Sequence, residues 1–266
     1  MDWAGIYLFV VWAAFAASAR FFLRPALESG GVKTVRMDAK DFVLFACIAC
    51  FVVLLSSKFR GDFAEFFPDD NAAAVFAYAP VYQILIISAV FYFKKTAAAK
   101  FSFGWRFSAA DVKRALKYSL AALAVAFLAA AVSRVGVYLI SGKWEEQQEI
   151  IKLFLQADSV WLRALAAFSF LVLAPISEEL LFRGVMYRWA KSMAAATGKC
   201  GAFAAALVVS AVFAAAHSNA AAFASLFVVA MFLTALYEKT GSIAAPIFCH
   251  FIFNFVNVVL MLCAGK

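Results

Sequence analysis

The stretch VWLRALAAFSFLVLAPISEELLFRG, residues 160–184, decides the fold. It opens as an apolar run long enough to cross a bilayer. It ends in two adjacent carboxylates, Glu178 and Glu179, with Arg183 four residues beyond the second. A transmembrane helix needs about 20 predominantly apolar residues, and runs of this kind recur along the chain, near 4–19, 42–57, 72–93, 116–140, 158–182, 200–217, 220–237 and 243–263. The whole chain of 266 residues is 66% hydrophobic and 15% charged, against roughly 45–50% apolar and about 25% charged in a soluble domain. Too little polar residue remains to coat a water-soluble core, so lipid must be the solvent for most of the protein. The pattern predicts an all-α fold, a polytopic transmembrane helical bundle of about eight spans. The short alternating segments of a membrane β-barrel are missing.

The net charge of +8 reflects topology and not nucleic-acid binding, because the basic residues concentrate in particular loops. Arg20, Arg24, Lys33, Arg36 and Lys40 fall in one, Lys94 to Lys117 span a second, and Arg183, Arg188, Lys191 and Lys199 a third. The intervening loops are poorer in lysine and arginine: 58–71 is acidic on balance, and 141–152 holds Glu145, Glu146 and Glu149. The positive-inside rule then predicts a multi-pass protein of the cytoplasmic (inner) cell membrane with both termini outside. The N-terminus does not read as a cleaved signal, since its basic residues follow the first apolar run instead of preceding it. Cys47 and Cys50 have redox spacing but lie inside an apolar run with no second pair, so all five cysteines read as small packing residues.

Ionisable groups at membrane depth are costly and usually face the bundle interior with a partner. The informative ones are Glu178, Glu179 and Arg183, then His217, and finally His250 with Asn254. The chain has only two histidines, and both fall in these apolar stretches. Residues four apart share a helix face, which relates Glu179 to Arg183, Phe213 to His217 and His250 to Asn254. Glu178 is rotated about 100° from Glu179, so one acid can pair with Arg183 while the other faces a cavity. No serine or cysteine triad accompanies these residues. What the set can do is activate water: a buried carboxylate takes its proton, an imidazole holds the water, and a second imidazole with an amide stabilises an oxyanion.

Glu178-Glu179-x-x-x-Arg183, Phe213-x-x-x-His217 and His250-x-x-x-Asn254, in that order, resemble the three signature motifs of the CPBP family. These are the CAAX protease and bacteriocin-processing, or Abi, intramembrane endopeptidases. The resemblance covers residues 155–262. It implies a glutamate-dependent endopeptidase with Glu178 as the water-activating base, His217 as its partner on the water, and His250 and Asn254 as the oxyanion pair. Glu179, Arg183 and Phe213 then support the site. Residues 151–266 become a catalytic helical core, and 1–150 a set of N-terminal helices of unassigned role. The substrate implied is a membrane-associated peptide or protein. The chain is bacterial in style, so CAAX specificity is not expected, and no metal is expected either. A zinc ion, if one were used, would fall to Glu178, His217 and His250. The rival reading is a non-catalytic membrane protein, a proton-coupled carrier or a scaffold. No inverted repeat supports a carrier.

Two spacings strain this picture. At 1.5 Å per residue, a full span over 200–217 would carry His217 far from the level of Glu178. Either Ser177–Met193 turns the chain back into the membrane, or that span is short. Pro175 also predicts a break in the fifth span, two residues before Ser177 and its acids.

Overall fold

The computed structural model describes residue 10 and residues 13–28, 30–98, 101–143, 149–195 and 200–264, with side chains from 152 in the fourth of these segments. Among the described residues there is no strand. The helices are α1 (Arg24–Glu28, continuing a π-helical turn Ala19–Leu23), α2 (Ala39–Phe66), α3 (Asn71–Thr96), α4 (Ala109–Ser141) and α5 (Glu149–Gln156), followed by α6 (Val160–Met193), α7 (Gly201–Ala216), α8 (Ala220–Thr240) and α9 (Ala244–Ala264). Six of them are long and apolar enough to cross a membrane, and the protein is a multi-pass membrane protein. The apolar run at 4–19 lies largely outside the described residues.

Polar residues flanking the apolar runs place the helix ends. Asp38, Asp70 and Asn219 each accept the backbone N–H three residues on at 2.8 Å, capping α2, α3 and α8. Ser108 and Asp111 form a reciprocal capping box at the start of α4, satisfying two orphan donors at once. Gly142 and Gly241 close α4 and α8 in the left-handed conformation.

Two strained expectations resolve. α7 has 16 residues, about 24 Å of helix and short of a hydrocarbon core of about 30 Å, so the run at 200–217 is a short helix. α6 instead runs on for 34 residues, about 51 Å, without a reversal at Ser177. Pro175 does not break it. The turn before it widens to a π-helix over Ser169–Leu173, so the proline ring is housed without ending the helix. A second π segment, Leu180–Tyr187, follows Glu179.

The chain divides into two compact units, each drawing on both halves of the sequence. One comprises Met1–Thr34, Phe103–Glu146 and Phe182–His250; the other comprises Val35–Ser102, Gln147–Leu181 and Phe251–Lys266. In the first, α8 is the central helix, with 61% of its apolar window buried. Its C-terminal half, Val228–Glu238, is wholly enclosed, with α4 packed alongside. The loop entering α4 is strapped to the end of α8: Tyr237 Oη donates to the Phe103 carbonyl at 3.1 Å, and the Ile243 N–H donates to the Gly104 carbonyl at 2.7 Å. In the second unit, Phe76 is fully buried among Phe154, Ala157 and Ala166. It meets the Phe154 and Phe170 rings edge-on at 6.3 and 6.2 Å.

Gly104 makes its strap possible. Its φ is +73°, and an added Cβ would stand 2.1 Å from the Gly241 carbonyl oxygen. The positive φ alone costs a side chain about 1–3 kcal/mol, before the backbone collision. Gly104→Ala is therefore expected to lower the melting temperature in detergent by several degrees. Gly61→Ala, which meets open space in α2, is expected to leave it unchanged or raise it. Equal melting temperatures for the two variants would contradict the strap.

Candidate functional site

The motif residues divide between the two units. In the first unit, Arg183, His217 and His250 gather around one aromatic ring. Phe213 is 1% exposed. The His217 ring centroid lies 4.8 Å from that of Phe213, and the His250 centroid 6.1 Å. The Arg183 guanidinium carbon stands 4.7 Å above the ring centre, a cation–π geometry that counts for more when desolvated. Phe182 closes the group edge-on at 5.0 Å. Phe213 is thus the common wall against which one cation and both imidazoles of the chain are set.

The local sequence explains His217. It caps the C-terminus of α7, where the last carbonyls have no helical donor. Ser218 takes φ 51° and ends the helix. The Nδ1 of His217 lies 2.8 Å from the Phe213 carbonyl. A carbonyl only accepts, so Nδ1 must carry the hydrogen. In the neutral ring Nε2 then keeps its lone pair, free to accept from water or bind a cation. His217 is exposed, whereas His250 is 5% exposed.

Arg183 is fully buried, and its Nη2 donates to the Ala230 carbonyl at 3.1 Å. It heads a polar seam along α6 and α8 that the sequence reading missed. Tyr187 Oη donates to Glu238 Oε1 at 2.7 Å, Lys191 Nζ donates to the same oxygen at 2.5 Å, and the Val32 N–H donates to Oε2 at 3.0 Å. Lys191 Nζ also reaches the Val32 carbonyl at 2.8 Å, and Arg188 Nε the Lys33 carbonyl at 2.7 Å. Glu238 is fully buried, which a carboxylate tolerates only with partners of this kind. Its position beside Lys239 at a span end resembles an ordinary interfacial charge. The only sequence signal was the four-residue step of Arg183, Tyr187 and Lys191 on one helix and of Ala230, Thr234 and Glu238 on the other.

In the second unit lie Glu178, Glu179 and Asn254. Glu178 is half-buried and Glu179 fully buried. Tyr82, on α3, lies within electrostatic range of Glu178. The Ser177 hydroxyl donates to the Ala174 carbonyl at 3.0 Å, turned back onto its own helix and away from any nucleophilic role. Asn254 Nδ2 donates to the Phe170 carbonyl at 2.8 Å. The five cysteines are free thiols; Cys249 accepts from the Ser119 hydroxyl at 3.1 Å. Among the described residues no three His, Cys, Asp or Glu side chains stand together in a metal-holding group.

Comparison with known proteins falls on the same segment. Residues 159–256 match the Rce1-like family, described as type II CAAX prenyl endopeptidase Rce1-like, and every motif residue named above lies inside that range. Over this segment the chain is similar to that family, which agrees with the resemblance carried by the three motifs. An uncharacterized 24.3 kDa protein of Escherichia coli is 33% identical over 126 residues, covering 46% of this chain. The chain spans 56% of that relative's length. No solved structure matches the chain.

With two histidines in the chain, nitrogen NMR of histidine-labelled protein is unusually direct. Neutral His217 is expected as the Nδ1-protonated tautomer, and Phe213→Ala is expected to move the signals of both rings. An Nε2-protonated His217, or a single perturbed ring, would contradict the arrangement.

Proposed function

We propose that the chain is an intramembrane endopeptidase that hydrolyses a peptide bond in a membrane-associated peptide or protein, with residues 151–266 as its catalytic core. The observation that carries the reading is the grouping of Arg183, His217 and His250 around Phe213, inside the segment that matches an endopeptidase family.

In this reading Glu178 takes a proton from a water held by the lone pair of His217 Nε2. The hydroxide adds to the substrate carbonyl carbon. The resulting oxyanion accepts hydrogen bonds from His250 and from Asn254 Nδ2. As the C–N bond breaks, the protonated Glu178 returns its proton to the departing amine, and the carboxylate is regenerated. Glu179 and Arg183 shape the site. Burial favours such chemistry because fixed donors act strongly where water is scarce. The reading assigns no metal; a zinc ion, were one used, would take Glu178, His217 and His250 as ligands. It places the protein in the cytoplasmic membrane with both termini outside. It does not require a prenyl group on the substrate.

Detergent-purified protein is expected to cleave members of a peptide library, with and without prenylation. Glu178→Ala and His217→Ala should each lose about 10²–10⁴-fold in rate. Wild-type turnover that survives in Glu178→Ala would remove the base assignment, and no turnover on any peptide would favour a carrier or scaffold. In a separate experiment a chelator is expected to leave cleavage intact. Loss that zinc restores would establish a metal enzyme instead.

A further inference from the structure

The Phe170 carbonyl is in an unusual position for a helical residue. In an α-helix it would accept from the N–H of residue 174. Here the Ala174 N–H donates to Ser169, five residues back. The next residue is Pro175, which has no N–H. The widened turn and the proline together leave the Phe170 carbonyl without a helical donor. An unpaired carbonyl in an apolar interior is costly, and the donor that fills the gap is Asn254 Nδ2 at 2.8 Å. All five residues, Ser169, Phe170, Ala174, Pro175 and Asn254, belong to the same unit.

We propose that Pro175 is a positioning residue for Asn254: with the π turn Ser169–Leu173 it frees the Phe170 carbonyl, which holds the Asn254 amide in a single orientation. A side-chain amide can otherwise flip end for end, presenting oxygen where nitrogen stood. Nδ2 carries two hydrogens. Anchoring one on Phe170 fixes which end of the amide is the donor and leaves the second N–H for a substrate oxygen. A regular α-turn would close the Phe170 carbonyl onto Ala174 and remove that anchor. The proline guards against this, because its ring collides with the carbonyl four residues back in a regular α-turn. The inference rests on the endopeptidase reading for its catalytic consequence but not for its geometry.

Two readouts separate the geometry from that reading. In the first, Pro175→Ala is expected to lower kcat about tenfold with KM unchanged. Asn254→Ala should cost about 10²–10³-fold, and the double variant should fall no further than Asn254→Ala alone. Multiplying effects, or an unchanged kcat in Pro175→Ala, would overturn the proposal. In the second, melting in detergent needs no enzymatic activity. Asn254→Ala is expected to lower the melting temperature in the wild-type background by more than it does in Pro175→Ala. Equal shifts would overturn the proposal even if the protein proved not to be a peptidase. Should Pro175→Ala not fold, the wild type still decides. With 15N-asparagine labelling and assignment by Asn254→Gln, one hydrogen of the Asn254 side-chain amide should be protected from exchange and the other should not. Two rapidly exchanging hydrogens would overturn it.

Discussion

Hydrocarbon offers no hydrogen bonds, and every polar group carried into it must be answered from within the protein. That constraint organises the parts of this chain that matter. It explains why Glu238, with no water available, collects Tyr187, Lys191 and the Val32 N–H. It explains why Arg183 divides itself between the Ala230 carbonyl and the face of Phe213. It also explains why a carbonyl released from its helix, that of Phe170, is found by an asparagine from α9. Apolar bulk places the helices in the membrane, but these few polar contacts define how neighbouring helices are rotated and which side chains face inward.

The two π-helical segments of α6 belong to the same logic. One interrupts the regular ladder just before Pro175, and the other does so around the motif residue Arg183. Such turns are frequent at functional sites because they free carbonyls and re-aim side chains without ending the helix. The seam from Arg183 to Lys191 then locks the rotation of the second segment against α8. Electrostatics and helix irregularity thus act together, with the irregularity creating the unmet group and a side chain on another helix meeting it.

Much of this could be read in the chain before any coordinates. The apolar runs located the long helices because a span of hydrocarbon demands about 20 apolar residues whatever their neighbours. Scarcity pointed to the two histidines and the paired acids, since a chain that avoids charge places it deliberately. Span ends were less legible. The run at 158–182 extends as helix to Met193 because the charged residues beyond Glu179 are buried against α8 and the Val32–Lys33 loop and do not end in water. Pro175 predicted a break, but a π turn absorbed it, a choice made by local hydrogen-bond geometry that residue types do not reveal. Glu238 escaped notice because an acid near a span end looks interfacial; its burial depends on a loop some 200 residues earlier in the chain.

By itself, then, the sequence determined the solvent, the helical class, the approximate spans and the polar residues on which chemistry would depend. Each of these follows from composition and short-range spacing. The tertiary structure decided that His250 comes to the Phe213 ring beside His217, and which partners neutralise Glu238. It also decided that the carbonyl freed beside Pro175 would be taken by Asn254, 84 residues away. Those are contacts between segments distant in the chain. Their partners are chosen by the need to pair every buried polar group, and that need can be resolved only once the helices have met.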